Sequence, residues 1–288
     1  MKKSYGKAGQ GAREMAFKRE LMVGGIAGIM LLLIWIWSKN MASIASLGLP
    51  AVIILVISFK VIVSALEKKG KHLKKRAKDA NKGALAEERV ETKLAALPEG
   101  FVSFNDLAFP GFNIDHVAVG HGGVFVIETK SHGGKVTNNG NQLLLNGSAP
   151  DKDFINQTWS QTYHIKNLLK QKLGTDIPVH PVLCFTNAFV QVRGTVKGVS
   201  VVNSGYLNTH IGKQKPALDK SQFAQVVASL KIETKAEEPF KRLCPDCKTE
   251  LVLHQIKSGP DIGQAFYGYI PCRKKWPVDV SHLASEPV

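Results

Sequence analysis

Apolar positions follow three kinds of pattern along the 288 residues of the chain. Residues 21–37 form an uncharged run of 17, and residues 40–59 a second of 20. As helices these would span about 26 and 30 Å, close to the thickness of a hydrocarbon core. Trp35 and Trp37 close the first run, where interfacial aromatic residues belong, and Lys60 at the end of the second is placed to snorkel. The pattern predicts a two-helix membrane hairpin, with transmembrane helices over residues 21–37 and 40–66. A cleaved signal peptide, which the small residues Ala42 and Ala45 would permit, does not fit the second apolar run and its basic exit.

Beyond residue 82 the periods shorten. Val90, Leu94 and Leu97 mark the apolar stripe of a helix over residues 83–97. Glu87, three residues before Val90, lies on the edge of that inward stripe, whereas Glu88, Glu91 and Lys93 face elsewhere. Runs of β-branched and aromatic residues predict strands at 101–104, 112–119, 123–130, 142–145, 179–186 and 199–202. Gly120-His121-Gly122-Gly123 joins two of these as an antiparallel hairpin, and Asn146-Gly147 signals another turn. Helices are expected over 153–173 and 218–230. In the first, Phe154, Thr158, Gln161, Ile165 and Leu168 share a face, so Gln161 is a polar residue set in an inward stripe. The succession predicts a mixed α/β domain with a central sheet over residues 83–232.

The formal net charge of +15 suggests nucleic acid or an anionic membrane as partner, and its distribution chooses between them. Residues 1–20 carry six Lys/Arg against two acids, and residues 60–82 nine against two. From residue 83 onward there are 22 basic and 19 acidic residues, so the excess lies beside the apolar runs. Basic residues crowd the outer ends of the hairpin and avoid its loop, which places both termini in the cytoplasm, with the bacterial inner (plasma) membrane as the expected location. Residues 1–20 then form a basic cytoplasmic N-terminus and residues 67–82 a helical polybasic connector lying near anionic headgroups.

The tail over residues 240–288 has its own signal. Cys244-Pro-Asp-Cys247 followed by an apolar strand at 251–254 is how small zinc ribbons begin, with Cys272 as a third ligand and His254 or His282 as the fourth. The alternative is a decayed ribbon that no longer binds Zn²⁺.

The chemistry concentrates where one strand ends. Gly123-Val-Phe-Val-Ile-Glu128-Thr129-Lys130 is a buried run closing on two opposite charges, and side chains two apart on a strand share a face. Asp115 sits on the neighbouring strand. An acid beside Glu-x-Lys is a metal-and-lysine constellation suited to phosphodiester hydrolysis. A salt-bridge cluster on an exposed sheet face would use the same residues, and surface ion pairs mean little. Against that reading, two further inward polar residues, Glu87 and Gln161, would have to coincide with it.

Gly83-x-x-x-Glu87, Asn105-Asp106-Leu107, Ile114-Asp115-His116, Val126-Ile127-Glu128-Thr129-Lys130 and the segment from Asn156 to Gln161 together resemble the nuclease-related domain, NERD, a branch of the PD-(D/E)xK nuclease superfamily. The resemblance covers about residues 80–190, and the tail looks like the topoisomerase-type zinc ribbon with an incomplete second cysteine pair. It implies a restriction-endonuclease-like α/β fold, a mixed sheet core flanked by helices, preceded by the membrane hairpin and followed by the small zinc-ribbon-like domain. The implied activity is a Mg²⁺-dependent (or Mn²⁺-dependent) deoxyribonuclease. Asp115 and Glu128 are then the expected metal ligands, with the backbone carbonyl of Thr129 as a third. Lys130 would orient or help deprotonate the attacking water. Glu87 would hold a further water or a second metal, and Gln161 would position the water or a phosphate oxygen. His116 points to the other face of its strand and reads as structural. DNA is the expected partner. The rival readings are an inactive DNA-binding module and a membrane scaffold that recruits a complex.

Overall fold

The computed structural model describes residues 4–46 and 48–233, together with the strands Val252–Gln255, Ala265–Tyr269 and Lys274–Pro277. The chain divides into two compact units, Gln10–Leu85 and Met1–Gly9 with Ala86–Val288.

The first unit is helical: α1 (Gln10–Lys39), the short α2 (Met41–Ala45) and the N-terminal part of α3 (Leu49–Ala95). α1 and α3 run antiparallel. The Arg19 guanidinium donates to the Arg76 carbonyl at 2.9 Å, Ile26 lies beside Gly70, and the Trp37 and Phe59 rings are 4.7 Å apart. As α1 advances its partners on α3 recede, which is the register of a hairpin. Each helix carries an 18-residue window long and apolar enough to cross a membrane, with mean hydropathy 2.2 and 2.5 and none of it buried. Such all-round apolar surfaces are not stable against water. α3 also joins the expected helical connector and the helix expected over residues 83–97 into one element. The polybasic connector and residues 83–95 belong to one helix from Leu49, because Ala, Lys, Glu and Arg dominate this stretch and all are strong helix formers.

In the second unit the β-rich runs assemble into one sheet. Its strands are β1 (Ser4–Tyr5), β2 (Val102–Phe109), β3 (Phe112–Gly120), β4 (Gly123–Asn139), β6 (Val179–Val190), β8 (Val199–Asn203) and β7 (Thr195–Val196), in that spatial order, with β5 (Gln142–Leu145) paired to β4. β2, β3 and β4 form an antiparallel meander closed by Gly120 opposite Gly123, as the hairpin signal predicts. β6 and β8 then add in parallel, with α4 (Phe154–Leu173) supplying the long connection a parallel pair requires. α5 (Leu207–Gly212) and α6 (Lys220–Glu233) complete the unit.

Alternate residues of β3 and β4 feed two cores. Val90, Leu94 and Leu97 of α3, with Leu207 and Ile211, cover Ala118, Phe125 and Ile127 on one face. Ile165 and Leu169 of α4, with Val226, Val227 and Leu230 of α6, cover Val117, Val119, Val124 and Val126 on the other. Leu169, not Leu168, is the fully buried leucine of α4; Leu168 is only partly buried. Phe125 is fully buried and stacks on His180 at 5.0 Å. Phe125→Ala is therefore expected to cost about 3–5 kcal/mol, read as a lower urea midpoint at unchanged slope for the detergent-solubilised protein.

Several features, β7 beside β8 among them, are not expected from the sequence. β1 adds an edge to β2, α5 follows β8, and β4 and β6 continue as a pair past Lys130 to Asn139 and Val190 with a register shift between Lys130 and Gly133. Near the C-terminus, β9 (Val252–Gln255), β10 (Ala265–Tyr269) and β11 (Lys274–Pro277) form a three-stranded antiparallel sheet. Of the expected zinc ligands, Cys244, Cys247, Cys272 and His282 lie outside the described residues, and His254 falls within β9.

Candidate active site

β3 and β4 pair from Gly120/Gly123 as far as His116/Ile127 and then part. The amide of Thr129, two residues further on, lacks a ladder partner on β3, and it donates instead to Asp115 Oδ2 at 2.7 Å. In an antiparallel edge the N–H and C=O of one residue face the same side, so the Thr129 carbonyl is turned toward the same gap. Asp115 and Thr129 thus come together because the strands diverge.

Glu128 and Lys130 project from β4 toward α4. The Lys130 ammonium donates to Glu128 Oε1, and Gln161 Nε2 donates to Glu128 Oε2 at 2.6 Å. Lys130 also donates to Gln157 Oε1 at 3.1 Å and lies 4.8 Å from the centre of the Phe154 ring. The side chains are only 14% (Lys130) and 3% (Glu128) exposed, so the pair is not a solvated surface bridge. α4 is placed for this by its caps. Asp153 accepts from the Asn156 amide at its start, and Gly174 adopts the left-handed conformation at its end. Gln157 and Gln161, one turn apart, therefore face β4 together. Gln161 Nε2 also reaches the Asn113 carbonyl at 3.4 Å, while its buried Oε1 has no hydrogen-bond partner among the described residues.

Glu87 enters from α3. Its Oε2 accepts from the Gly9 amide at 3.0 Å. Burial and the nearby charge of Asp106 push this carboxyl up to about 7, with Glu128 adding to the effect and the Gly9 amide and Lys130 opposing it. Asp115 is raised well above the usual carboxylate range by burial, then by Glu128 and Glu87, against the Thr129 amide and Lys130. Glu87, Asp106, Asp115 and Glu128 thus form one like-charged cluster around Lys130.

Asp106 of this cluster, and Gln157 and Glu91 beside it, are given no role by the sequence. Asp106 is opposite Asp115 by register, since Asn105 pairs His116 and Leu107 pairs Ile114, and its φ of 49° takes it out of the ladder. Aspartate is among the few residues that enter the left-handed region readily. It accepts from Asn113 Nδ2 at 2.8 Å. Gln157 lies within the segment from Asn156 to Gln161 but off the inward stripe of its helix, and it accepts from Lys130. Glu91 does not face elsewhere: its carboxylate accepts from the Ala8 amide at 3.1 Å and from Asn105 Nδ2 at 3.3 Å. The helix stripe could not reveal this, because the partners come from the first nine residues. His116 is fully buried on the opposite face, with Nδ1 2.8 Å from Asn105 Oδ1, and burial lowers its pKa to about 3. It is a neutral core side chain.

Among the described residues no three His, Cys, Asp or Glu side chains converge as a ready-made metal cage. Mg²⁺ does not need one, since it takes one or two carboxylates and keeps several waters. Two hard carboxylates and a backbone carbonyl in an acidic cluster fit such a cation chemically: positive charge would offset the repulsion that adds to burial in raising Asp115 and Glu87.

No curated protein and no solved structure matches the chain. What the chain does resemble is one domain family: residues 82–186, which carry Glu87, Asp115, Glu128, Lys130 and Gln161 on these elements, match the model of NERD, the nuclease-related domain.

Proposed function

We propose that this protein is a membrane-anchored nuclease that hydrolyses DNA phosphodiester bonds on the cytoplasmic side with Mg²⁺ or Mn²⁺, in DNA processing or defence against foreign DNA. The observation that carries the reading is the cluster at the parting of β3 and β4: Asp115 on the Thr129 amide, and Glu128 held between Lys130 and Gln161. The nuclease-related match over residues 82–186 supports it. Asp115, Glu128 and the Thr129 carbonyl would hold the cation. When bound, it would supply Lewis-acid stabilisation of the phosphate and leaving oxygen. Lys130 would set its amino group where an attacking water and a phosphate oxygen would meet, and Gln157 and Phe154 limit its rotamers. Gln161 has a second hydrogen-bonding atom, Oε1, with which to orient that water.

The two apolar helices of the first unit support the anchor, and the basic residues of the connector would rest on anionic headgroups. Zn²⁺ in the tail is part of the same reading, through Cys244, Cys247 and Cys272.

A second reading, an inactive DNA-binding or scaffold module, draws on one feature: both oxygens of Glu128 are already engaged. Full-length protein in detergent separates the two when incubated with linear, circular and single-stranded DNA and with RNA. Cleavage of DNA that requires Mg²⁺ or Mn²⁺ and stops with chelator is expected. Salt-dependent DNA binding without cleavage would leave the second reading standing. A reporter fused in the loop near Ser43 is expected outside the cytoplasm, and one at the C-terminus inside.

A further inference from the structure

Residues 4–9 fold back onto the sheet and end at the site. Ser4 and Tyr5 pair in parallel with Ser103 and Phe104, and the Tyr5 ring stacks on Phe104 at 5.2 Å. Asn105 Nδ2 donates to Ser4 Oγ at 3.0 Å and to the Tyr5 carbonyl at 3.4 Å. The Lys231 ammonium of α6 lies 4.8 Å from the Tyr5 ring centre. Gly6 has φ 73°, and a Cβ there would lie 2.0 Å from the Asn105 carbonyl oxygen, so the chain passes β2 at a distance only glycine allows. Ala8 and Gly9 are buried, and their amides donate to Glu91 and Glu87.

These contacts are more than an N-terminus at rest. Two successive backbone amides meet two carboxylates one turn apart on α3. One of these, Glu87, belongs to the acidic cluster; the other, Glu91, continues through Asn105 to His116, the residue after Asp115. Partly buried carboxylates are held in one rotamer by donors, and the buried backbone amides of Ala8 and Gly9 are stiff donors. We propose that residues 4–9 are a positioning strap for the active site, holding the Glu87 and Glu91 carboxylates of α3 in place through the Gly9 and Ala8 amides. The strap lies outside the nuclease-related match and directly precedes α1 in the chain. Its role in catalysis rests on the nuclease reading; its hold on the two carboxylates does not.

The test uses full-length protein in detergent, wild type beside Gly6→Val, which cannot pass Asn105, and the milder Tyr5→Ala, which loses the stack. Carboxyl labelling with a carbodiimide and glycine ethyl ester, read by mass spectrometry without divalent metal, reports the carboxylates directly. Labelling of Glu87 and Glu91 is expected to rise severalfold in both variants while Glu99 and Asp219 stay unchanged. In the Mg²⁺ cleavage assay kcat is expected to fall about tenfold or more, the scale of one lost hydrogen bond to a charged group, with KM moving less than about twofold. Glu87 and Glu91 labelled as fast in wild type as in the variants would overturn the strap. So would labelling that rises equally at Glu99 and Asp219, which marks general loosening, or a freed strap with unchanged kcat. If wild-type protein cleaves nothing, the nuclease reading fails, and the labelling alone decides whether the strap holds the two glutamates.

Discussion

Lys130→Met is expected to lower kcat for DNA cleavage by about a hundred- to a thousandfold, the range for removing one preorganised electrostatic donor, with KM moved far less. Methionine keeps much of the apolar stem that packs near Phe154 and removes only the ammonium. The loss is expected to be large because Lys130 is fixed before substrate arrives. Glu128, Gln157 and the Phe154 ring constrain it, and its side chain is 14% exposed, so little reorganisation separates the resting and reacting positions. Glu128→Gln is expected to reach a similar loss by a different route, since it removes a carboxylate and unbalances both Lys130 and Gln161. The double variant should then cost little more than either alone, because groups acting as a unit are not additive. Full activity in Lys130→Met, measured by initial rates on linear DNA, would remove the assignment of this strand end as the catalytic centre.

Metal-free protein is expected to lose stability as pH rises from about 4.5 to 7, and Mg²⁺ to restore it most at the upper end. The sign follows from the raised carboxyls. Glu87 goes from 4.5 to about 7 on folding, so its contribution is fully present below 4.5 and is lost as pH passes through 7. Asp115 is raised in the same direction, by burial first and then by Glu128 and Glu87. Glu87 alone corresponds to about 2–3 kcal/mol across that window, reduced by its partial exposure to about 2 kcal/mol. Glu87→Gln keeps an oxygen for the Gly9 amide and removes the charge, so its melting temperature relative to wild type should rise from pH 5 to pH 8. A saturating cation adds about 2.7 kcal/mol at a hundredfold excess over its Kd, and this gain should be larger at pH 8 than at pH 5. Melting curves of the full-length protein with and without Mg²⁺ at the two pH values test this. A Mg²⁺ gain that is equal at both, or smaller at pH 8, would detach the cation from these carboxylates.

The strand end at Glu128 to Lys130 was legible because its signals are local. Period-2 alternation puts Glu128 and Lys130 on one face, and the Gly120–Gly123 turn sets the antiparallel register that brings Asp115 beside them. Gln161 was legible for a related reason: a polar residue at an inward position of a 3.6-residue period must meet something polar, and it meets Glu128. The apolar runs of the first unit were legible from length and hydropathy alone. The connector and the helix from residue 83 were both legible as helical; that they are one continuous helix was not, because composition marks a change of surroundings along a helix but not whether it ends there.

What the amino-acid order determines by itself, then, is which residues point inward, which runs are strands or helices, and that an Asp, a Glu and a Lys share one end of a hairpin. Local periods carry that information. The tertiary structure alone decides that Asp106 leaves its ladder opposite Asp115, that Gln157 steadies Lys130, and that Gly9 and Ala8 reach Glu87 and Glu91 across 78 and 83 residues of chain. Those contacts depend on where strands diverge and where a terminus returns. No period within a window of the sequence encodes either, since both are set by packing between segments that never meet along the chain.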